Sequence, residues 1–552
     1  MSDWRRSARE TIPAVLASRA EAHPDRVAVA FEDASMTFAD LECRSTALAN
    51  SLAELGVGPE DTVAAFMRNR QEMLDAWFAA AKLGAIHVPV NTANVGEYLR
   101  HQLATAGAQV VLADAGLAPE VVRIAGRLPD LRHLAVASED GSPAPVSSPA
   151  PAVSLHSFAD LLAGDGDRLR TIRPPRAEDA NAIIYTAGTT GPSKGAVMTQ
   201  NYLVRAARQL AGMRGVTADD VCYSPLPLFH LNAMIISVLG PLARGARGAL
   251  DRTFSVSRFW DRVRETGATQ LAILGSMITM LWNRPEADDD ADNPARVVVA
   301  VPVPADIHDR WEKRFGIRFV VAYGLSEAVP ITVSTLDDPS PPGYSGKANP
   351  IFDVRLFDDR DDQVAPGEVG EIVCRPLEPH VMFEGYYRNP EATVGMWRNL
   401  WFHTGDLGRM DADGNLAFVD RKKDYLRRRG ENISSFELEQ AIRLHPAVAE
   451  VAVHAVPSEV AEDDVKACVV LGPDATLDPV QLMDHCVANI PYFAVPRYLE
   501  FLDSLPKNPV GRVLKYQLRE RGVTPSTWDR DAAGYVVSRN RSFGGHPRTP
   551  GP

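Results

Sequence analysis

The chain has 552 residues, 45% of them hydrophobic and 23% charged, which is more than a single core serves and predicts a folded protein of two or more domains. Its 58 basic residues against 71 acidic ones leave a formal charge of −13, which argues against nucleic acid or an anionic membrane surface as the main partner and requires anionic ligands to be met by local clusters. The five cysteines, at positions 43, 222, 374, 468 and 486, form no Cys-x-x-Cys pair, so neither a zinc site nor a disulfide framework is expected and a reducing cytoplasm fits. The N-terminus, Met-Ser-Asp-Trp-Arg-Arg, lacks the apolar core of a signal peptide, and no apolar run is long enough to span a bilayer, so a soluble protein with no membrane partner is expected.

In chain order, Thr37 and Asp40 read as a capping box ahead of a helix whose apolar residues Phe38, Leu41, Leu48, Leu52 and Leu55 recur at helical spacing and which should stop at Gly56. A strand at 62–67, a helix at 73–83, a strand at 86–90, a helix at 98–106 and a strand at 110–113 follow with short connections. That alternation predicts an α/β fold with a parallel sheet covered by helices. Residues 139–152, rich in Pro, Ser and Ala, read as an exposed connection.

The stretch from Ile183 to Tyr202 is unlike the rest. An apolar strand end, Ile183–Tyr185, gives way to hydroxyls, glycines and one lysine until Ala196. Gly188 and Gly191 let the backbone turn back with bare N–H groups, Thr186, Thr189, Thr190 and Ser193 add hydroxyls, and Lys194 adds a positive charge, which suits a polyphosphate. The spacing is not the Walker pattern, because Lys194 lies three residues after Gly191 and is followed by glycine. Composition alone leaves a flexible surface loop equally open.

The acidic run 288–292 reads as a solvated loop. Near residue 420 a basic segment, Asp-Arg-Lys-Lys-Asp-Tyr-Leu-Arg-Arg-Arg-Gly, precedes a new helix capped by Ser434 and Glu437. Strands at 448–456 and 465–471 and a helix near 480–490 complete a small α+β domain. The expected organisation is a large N-terminal domain of helix-covered sheets (1–419), a hinge (420–423), a small C-terminal domain (424–525) and a mobile tail (526–552).

Five segments together resemble the adenylate-forming superfamily of acyl- and aryl-CoA ligases, adenylation domains and luciferases. Tyr-Thr-Ala-Gly-Thr-Thr-Gly-Pro-Ser-Lys-Gly (185–195) is similar to its phosphate loop, Tyr-Gly-Leu-Ser-Glu (323–327) to its Tyr-Gly-x-Thr-Glu motif and Thr-Gly-Asp (404–406) to its Thr-Gly-Asp. Asp-Arg-Lys-Lys-Asp (420–424) resembles its hinge, and Leu-Pro-Lys-Asn-Pro-Val-Gly-Arg-Val (505–513) its C-terminal catalytic loop. Within that superfamily, residues 427–434 and 524–529 look most like carnitine/crotonobetaine-type CoA ligases.

The resemblance implies AMP-forming activation of a small or medium carboxylic acid by ATP and Mg2+, then thioester formation with CoA. It places Thr186, Gly188, Thr189, Thr190, Gly191 and Lys194 at the phosphates, with Ser326 on the α-phosphate and Glu327 as the magnesium ligand. Tyr323 and Gly324 would lie at adenine, and Asp406 with Arg421 at the ribose. His230, closing Ser-Pro-Leu-Pro-Leu-Phe-His, would line the passage between acyl site and thiol. Lys423 takes the hinge position, and Gly430 after Arg427–Arg429 would meet CoA. Each has a plainer reading from the residues alone: a packed histidine, a core tyrosine, an ordinary turn, an exposed glutamate at a helix start.

Two departures stand out. Arg512 occupies the place of the usual catalytic lysine, and a planar guanidinium is not interchangeable with an ammonium; loss of one well-aimed donor costs on the order of 10²–10³ in rate. Val-Ala-Val-Pro-Val-Pro (299–304) replaces a Gly-Gly-Ala-Pro pattern and should narrow the acyl pocket. An adenylate-forming enzyme that does not use CoA therefore stays open, either activating nitrite as a diazotase or passing an acyl group to an amine or carrier protein. So does a non-catalytic adenylate-binding relic. A homodimer is left open.

Overall fold

The computed structural model describes residues 9–32, 34–138, 152–170, 173–186, 192–301, 303–305, 307–421, 426–428, 431–433, 435–458, 463–473, 475–506, 513 and 515–537. The chain divides into two compact units: Met1–Thr92, Leu99–Thr186 and Ser193–Lys423 form the first, and Ala93–Tyr98, Ala187–Pro192 and Asp424–Pro552 the second. Among the described residues no helix is long and apolar enough to cross a membrane.

From Thr37 onward the first unit follows its sequence pattern; a helix, Ile12–Ala22, and two strands, Val27–Ala30 and Ser35–Thr37, precede it. The helix Phe38–Glu54 is held at its start by Thr37 and Asp40, whose side chains each take the other's backbone N–H, and Gly56 beyond its end adopts φ +91°. The helix Gln71–Leu83 is buried on every side from Met73 to Leu83, which marks a helix enclosed by other layers rather than lying on a surface.

Two seven-stranded sheets form the bulk of this unit. One runs in the order Ser154–Ser157, His133–Ala137, Val110–Asp114, Thr62–Phe66, Ile86–Pro89, Ala180–Thr186, Lys194–Thr199. Its first six strands are parallel and the last is antiparallel. The other runs Arg318–Val320, Val297–Val301, Gln270–Leu274, Val221–Ser224, Arg247–Leu250, Val27–Ala30, Ser35–Thr37, again with only the last strand antiparallel. Near-continuous apolar strands such as Val110–Asp114, buried at all five positions, are what a parallel sheet covered on both faces requires. A third, antiparallel sheet carries Phe352–Phe357, Val369–Pro376, Trp401–Met410 and Leu416–Arg421.

The acidic run departs from expectation at one residue. Asp290 is buried and pairs with Arg314 at 2.6 Å, so it anchors the loop instead of solvating it.

The second unit is a four-stranded sheet, Val448–Pro457, Asp463–Leu471, Tyr498–Phe501 and Trp528–Asp529, covered by helices that include Ser435–Arg443 and Pro479–Asn489. Ser434 lies outside the described residues, as does the Glu437 side chain. Part of the stretch expected to be a tail is structured. Trp528 and Asp529 pair with Leu499 and Tyr498, and Arg497 holds the Asp529 carboxylate at 3.2 Å, which gives residues 528–529 both backbone and charge partners.

Candidate active site

The strands Ala180–Thr186 and Lys194–Thr199 form a hairpin whose last registered pair is Thr186 with Lys194. Thr186 and Lys194 therefore flank the hydroxyl-rich segment of the sequence. Gly188, Thr189, Thr190 and Gly191 lie outside the described residues. At Gly195 an added Cβ would sit 2.4 Å from Ile183 Cγ2, so only glycine lets the two strands approach this closely. The far edge of Lys194–Thr199 pairs with a later segment: Tyr387 donates its N–H to the Gly195 carbonyl at 2.7 Å and Val197 donates to Gly385 at 2.9 Å. That pairing delivers Tyr386 to the site.

Tyr323 and Glu327 come from a second hairpin, Ala322–Leu325 with Ala328–Val333, in which Leu325 pairs with Ala328 and Ser326–Glu327 form the two-residue turn. Glu327 thus stands on a strand-to-strand turn, not at the start of a helix, and is only 6% exposed. Gly324 is obligatory here, because a Cβ would come within 2.8 Å of the Ala328 carbonyl. The turn is fixed from below. Tyr202, on the helix Gln200–Met213 that follows the lysine strand, donates its hydroxyl to the Ser326 carbonyl at 2.9 Å. Burial, then the Glu327 carboxylate, raise the Tyr202 pKa well above its ordinary value, so it remains a donor.

The Glu327 carboxylate meets the first hairpin directly. Its Oε1 accepts the Thr186 hydroxyl at 3.1 Å and the Tyr386 hydroxyl at 2.7 Å, while the Lys194 ammonium lies 4.8 Å from the centre of the Tyr386 ring. Thr186, Lys194, Glu327 and Tyr386 form one cluster. Tyr386 was not legible in the sequence, since Phe-Glu-Gly-Tyr-Tyr (383–387) reads as any half-buried aromatic stretch.

At the other end of the Tyr323–Glu327 hairpin, the Tyr323 hydroxyl donates to Asp406 Oδ2 at 2.8 Å. Asp406 is 2% exposed. The Thr-Gly-Asp motif does not form the expected turn. It lies within the strand Trp401–Met410, in an irregularity where His403 registers with Val373 but Leu407 with Glu371. Four steps on one strand face two on the other, so residues 404–406 bulge outward, and bulges of this kind re-aim side chains near active sites. Gly405 takes φ +75° and donates its N–H to Glu371 Oε1 at 3.2 Å. The Thr404 hydroxyl donates to the Ile372 carbonyl at 2.7 Å. Arg421 stands directly opposite Asp406 in the next strand; its side chain lies outside the described residues, as do Lys423, Gly430 and Arg512.

His230 follows the strand Val221–Ser224 and precedes a π-helical segment, Ala233–Leu239. Its ring packs 4.7 Å from Phe229, and no hydrogen bond ties it to Glu327. Its loop is held by Asn69, which donates to the Leu226 carbonyl at 2.9 Å and accepts from Leu228 N–H at 2.8 Å.

The donor set suits a magnesium ion held partly by its ligand. Both hydroxyls on Glu327 engage Oε1, which leaves Oε2 for a cation. Among the described residues no group of three or more His, Cys, Asp or Glu side chains could hold a metal alone. One carboxylate plus phosphate oxygens is the usual way a protein holds magnesium.

Residues 16–387 match the AMP-binding enzyme family, and residues 437–512 match its C-terminal domain. A crotonobetaine/carnitine–CoA ligase of Salmonella paratyphi A is 30% identical over 514 residues, covering 91% of this chain and 97% of that one. The structure of ATP-bound MatB from Rhodopseudomonas palustris superposes with a TM-score of 0.67 at 28% identity, covering 93% of this chain and 99% of the other. The amide bond synthetase McbA from Marinactinospora thermotolerans superposes with a TM-score of 0.79 over 93% and 99% of the two chains, and at 24% identity shows the shared fold alone.

Proposed function

The chain belongs to the AMP-binding enzyme family as an AMP-forming acid–thiol ligase of the acyl-CoA synthetase type, and from that premise we propose that it activates a small or medium carboxylic acid as its adenylate and passes the acyl group to CoA. The carboxylate oxygen attacks the α-phosphorus of ATP, the bond to the bridging oxygen breaks and pyrophosphate leaves. The CoA thiolate then attacks the acyl carbon and AMP departs. Charge accumulates on phosphate oxygens, so the protein's task is electrostatic and positional.

In this reading Thr186, Lys194 and the 188–191 backbone meet the phosphates, and the Ser326 hydroxyl meets the α-phosphate. Tyr323 and Gly324 border adenine, while Asp406 and Arg421 take the ribose hydroxyls. Glu327 would hold magnesium through Oε2, and the ion would supply charge neutralisation at the phosphates. His230 positions the acyl group, Lys423 serves as the pivot, Gly430 lies beside the pantetheine arm, and Arg512 stands in for the usual lysine. Side chains of the segment 299–304, in place of the glycines of the Gly-Gly-Ala-Pro pattern, disfavour bulky flat acids.

The observation that carries this reading is the Tyr323–Glu327 hairpin, which ties a phosphate-type cluster at Glu327 to a buried acceptor at Asp406, groups suited to the two ends of one nucleotide. A second reading keeps adenylation without CoA, with nitrite, an amine or a carrier protein as the other reactant, and Arg512 favours it. Pyrophosphate release from a panel of acids, measured with and without CoA and with nitrite plus an arylamine, decides between them. Release that requires an acid and yields AMP with consumption of CoA is expected. Release indifferent to CoA replaces the first reading by the second, and no release under any condition defeats both.

A further inference from the structure

The helix Gly96–Ala106 touches the chain on both sides of the hydroxyl-rich segment. Its stripe Leu99, Leu103 and Ala106, at helical spacing, is buried in one core with Ile183 of the strand Ala180–Thr186. His101 and Thr105, four residues apart and so neighbours on the helix surface, lie beside that stripe and reach the hairpin. Before the segment, the Tyr185 hydroxyl donates to the Gln102 carbonyl at 3.0 Å and lies 2.6 Å from the Thr105 hydroxyl. Burial pushes the Tyr185 pKa up to about 12, so the phenol stays protonated. After the segment, the half-buried His101 holds the Ser193 carbonyl through Nε2 at 3.0 Å. A carbonyl only accepts, so Nε2 carries the proton. The His101 ring meets that of Tyr185 edge-on at 6.4 Å, which ties the two contacts together.

We propose that His101 is a positioning residue for the phosphate end of the nucleotide, acting through the peptide that joins Ser193 to Lys194. The Ser193 carbonyl and the Lys194 N–H belong to one rigid plane. Fixing the oxygen therefore fixes the direction in which the chain enters the lysine. The register partner of Lys194 is Thr186, and the residue before Thr186 is Tyr185, which the same helix holds. One helix thus braces both flanks of the segment. Lys194 then meets its anion from a backbone that is already ordered, and a contact that needs no ordering at the moment of binding gives more affinity.

The inference rests on the nucleotide site proposed above. Its test is calorimetric titration of the full-length protein with α,β-methylene-ATP and, separately, with AMP. His101→Phe keeps a ring against Tyr185 but has no donor, and should weaken binding of the triphosphate analogue by about five-fold, the net worth of one hydrogen bond. AMP, held by the groups assigned to adenine, ribose and the α-phosphate, should bind nearly as before. His101→Gln returns an N–H at similar reach and should recover most of the loss, a rescue that ring packing alone does not give. In pyrophosphate release the same loss should appear in the KM for ATP and not in the KM for the acid. His101→Leu, equally without a donor, replaces the Phe variant if that one does not fold. Unchanged analogue affinity in the donor-less variants, equal losses for the analogue and AMP, or a Gln variant no better than Phe overturns the positioning role and leaves the nucleotide site standing. A wild-type protein that binds neither nucleotide overturns both.

Discussion

The hydroxyl of Tyr323 is bound to the carboxylate of Asp406 across 83 residues of sequence, at 2.8 Å and out of solvent. The bond uses one acceptor position of Asp406 and fixes the plane of the Tyr323 ring, so the residue assigned to adenine and the residue assigned to ribose are set by each other.

Asp406→Asn keeps an acceptor for Tyr323 but loses the charge and one ribose-type acceptor. We expect it to weaken nucleotide binding by at least ~10-fold, about 1.4 kcal/mol, with the melting temperature nearly unchanged. Tyr323→Phe, which removes only that hydroxyl, should cost less. Equal affinity of wild type and Asp406→Asn in calorimetry would remove Asp406 from the site.

Glu371 takes the Gly405 N–H on one oxygen and contacts His403 Nδ1 at 3.1 Å with the other. Glu371→Ala should cost about 1–3 kcal/mol of unfolding free energy, because the buried His403 and the half-buried Gly405 N–H both lose their bond, and should weaken nucleotide binding by releasing the bulge that aims Asp406. Gly405→Ala meets no atom within 4 Å, so its cost is only that of forcing an L-residue to φ +75°, about 1–2 kcal/mol. Urea unfolding of the two variants, compared with their nucleotide affinities, separates clash from strain.

Arg512→Lys restores the ammonium that the family normally places at this position. If the guanidinium is poorly aimed, the substitution should raise the rate of acid-dependent pyrophosphate release by about 10-fold or more. A fall in rate would show that the site has been rebuilt around arginine.

His87 lies buried in the strand Ile86–Pro89, its ring nearly parallel to that of Trp77 at 6.4 Å, and its Nδ1 has no partner. Burial pushes its pKa down to about 3 from an ordinary 6.5. Between those values the unfolded chain binds a proton that the folded chain refuses, so stability is full above pH 6.5 and falls as pH drops through that window. From pH 7 to pH 4.5 this one group should remove about 2–3 kcal/mol. In His87→Phe that share of the loss should vanish, and identical pH slopes of unfolding free energy for variant and wild type would show that His87 does not carry it.

What the sequence revealed was local. The Thr37–Asp40 capping box, the stop at Gly56 and the alternation of helices with apolar strands all depend on residues within a few positions of one another, and each appears at its expected place. The motif residues Thr186, Lys194, Tyr323, Glu327 and Asp406 were individually legible for the same reason. Their arrangement was not, because it depends on pairings between distant segments. Nothing near Tyr386 announces that its strand partner lies at Ala196, and nothing in Thr-Gly-Asp distinguishes a turn from a bulge until Glu371 and His403 are in register with their neighbours. Glu371 escaped notice because its role is to receive a backbone N–H, which leaves no mark on residue type.

The long separations within the site have a consequence for the order of events during biosynthesis. Thr186 waits 141 residues for Glu327, Glu327 a further 59 for the tyrosine that holds it, and only then does Asp406 emerge. Because chains generally fold as they leave the ribosome, both seven-stranded sheets can be complete while the site is still missing its last members. On the proposed site, a nascent chain arrested before Trp401 would hold the cluster at Glu327 but lack Asp406, so ATP would gain its full set of partners only when about three quarters of the chain has been made.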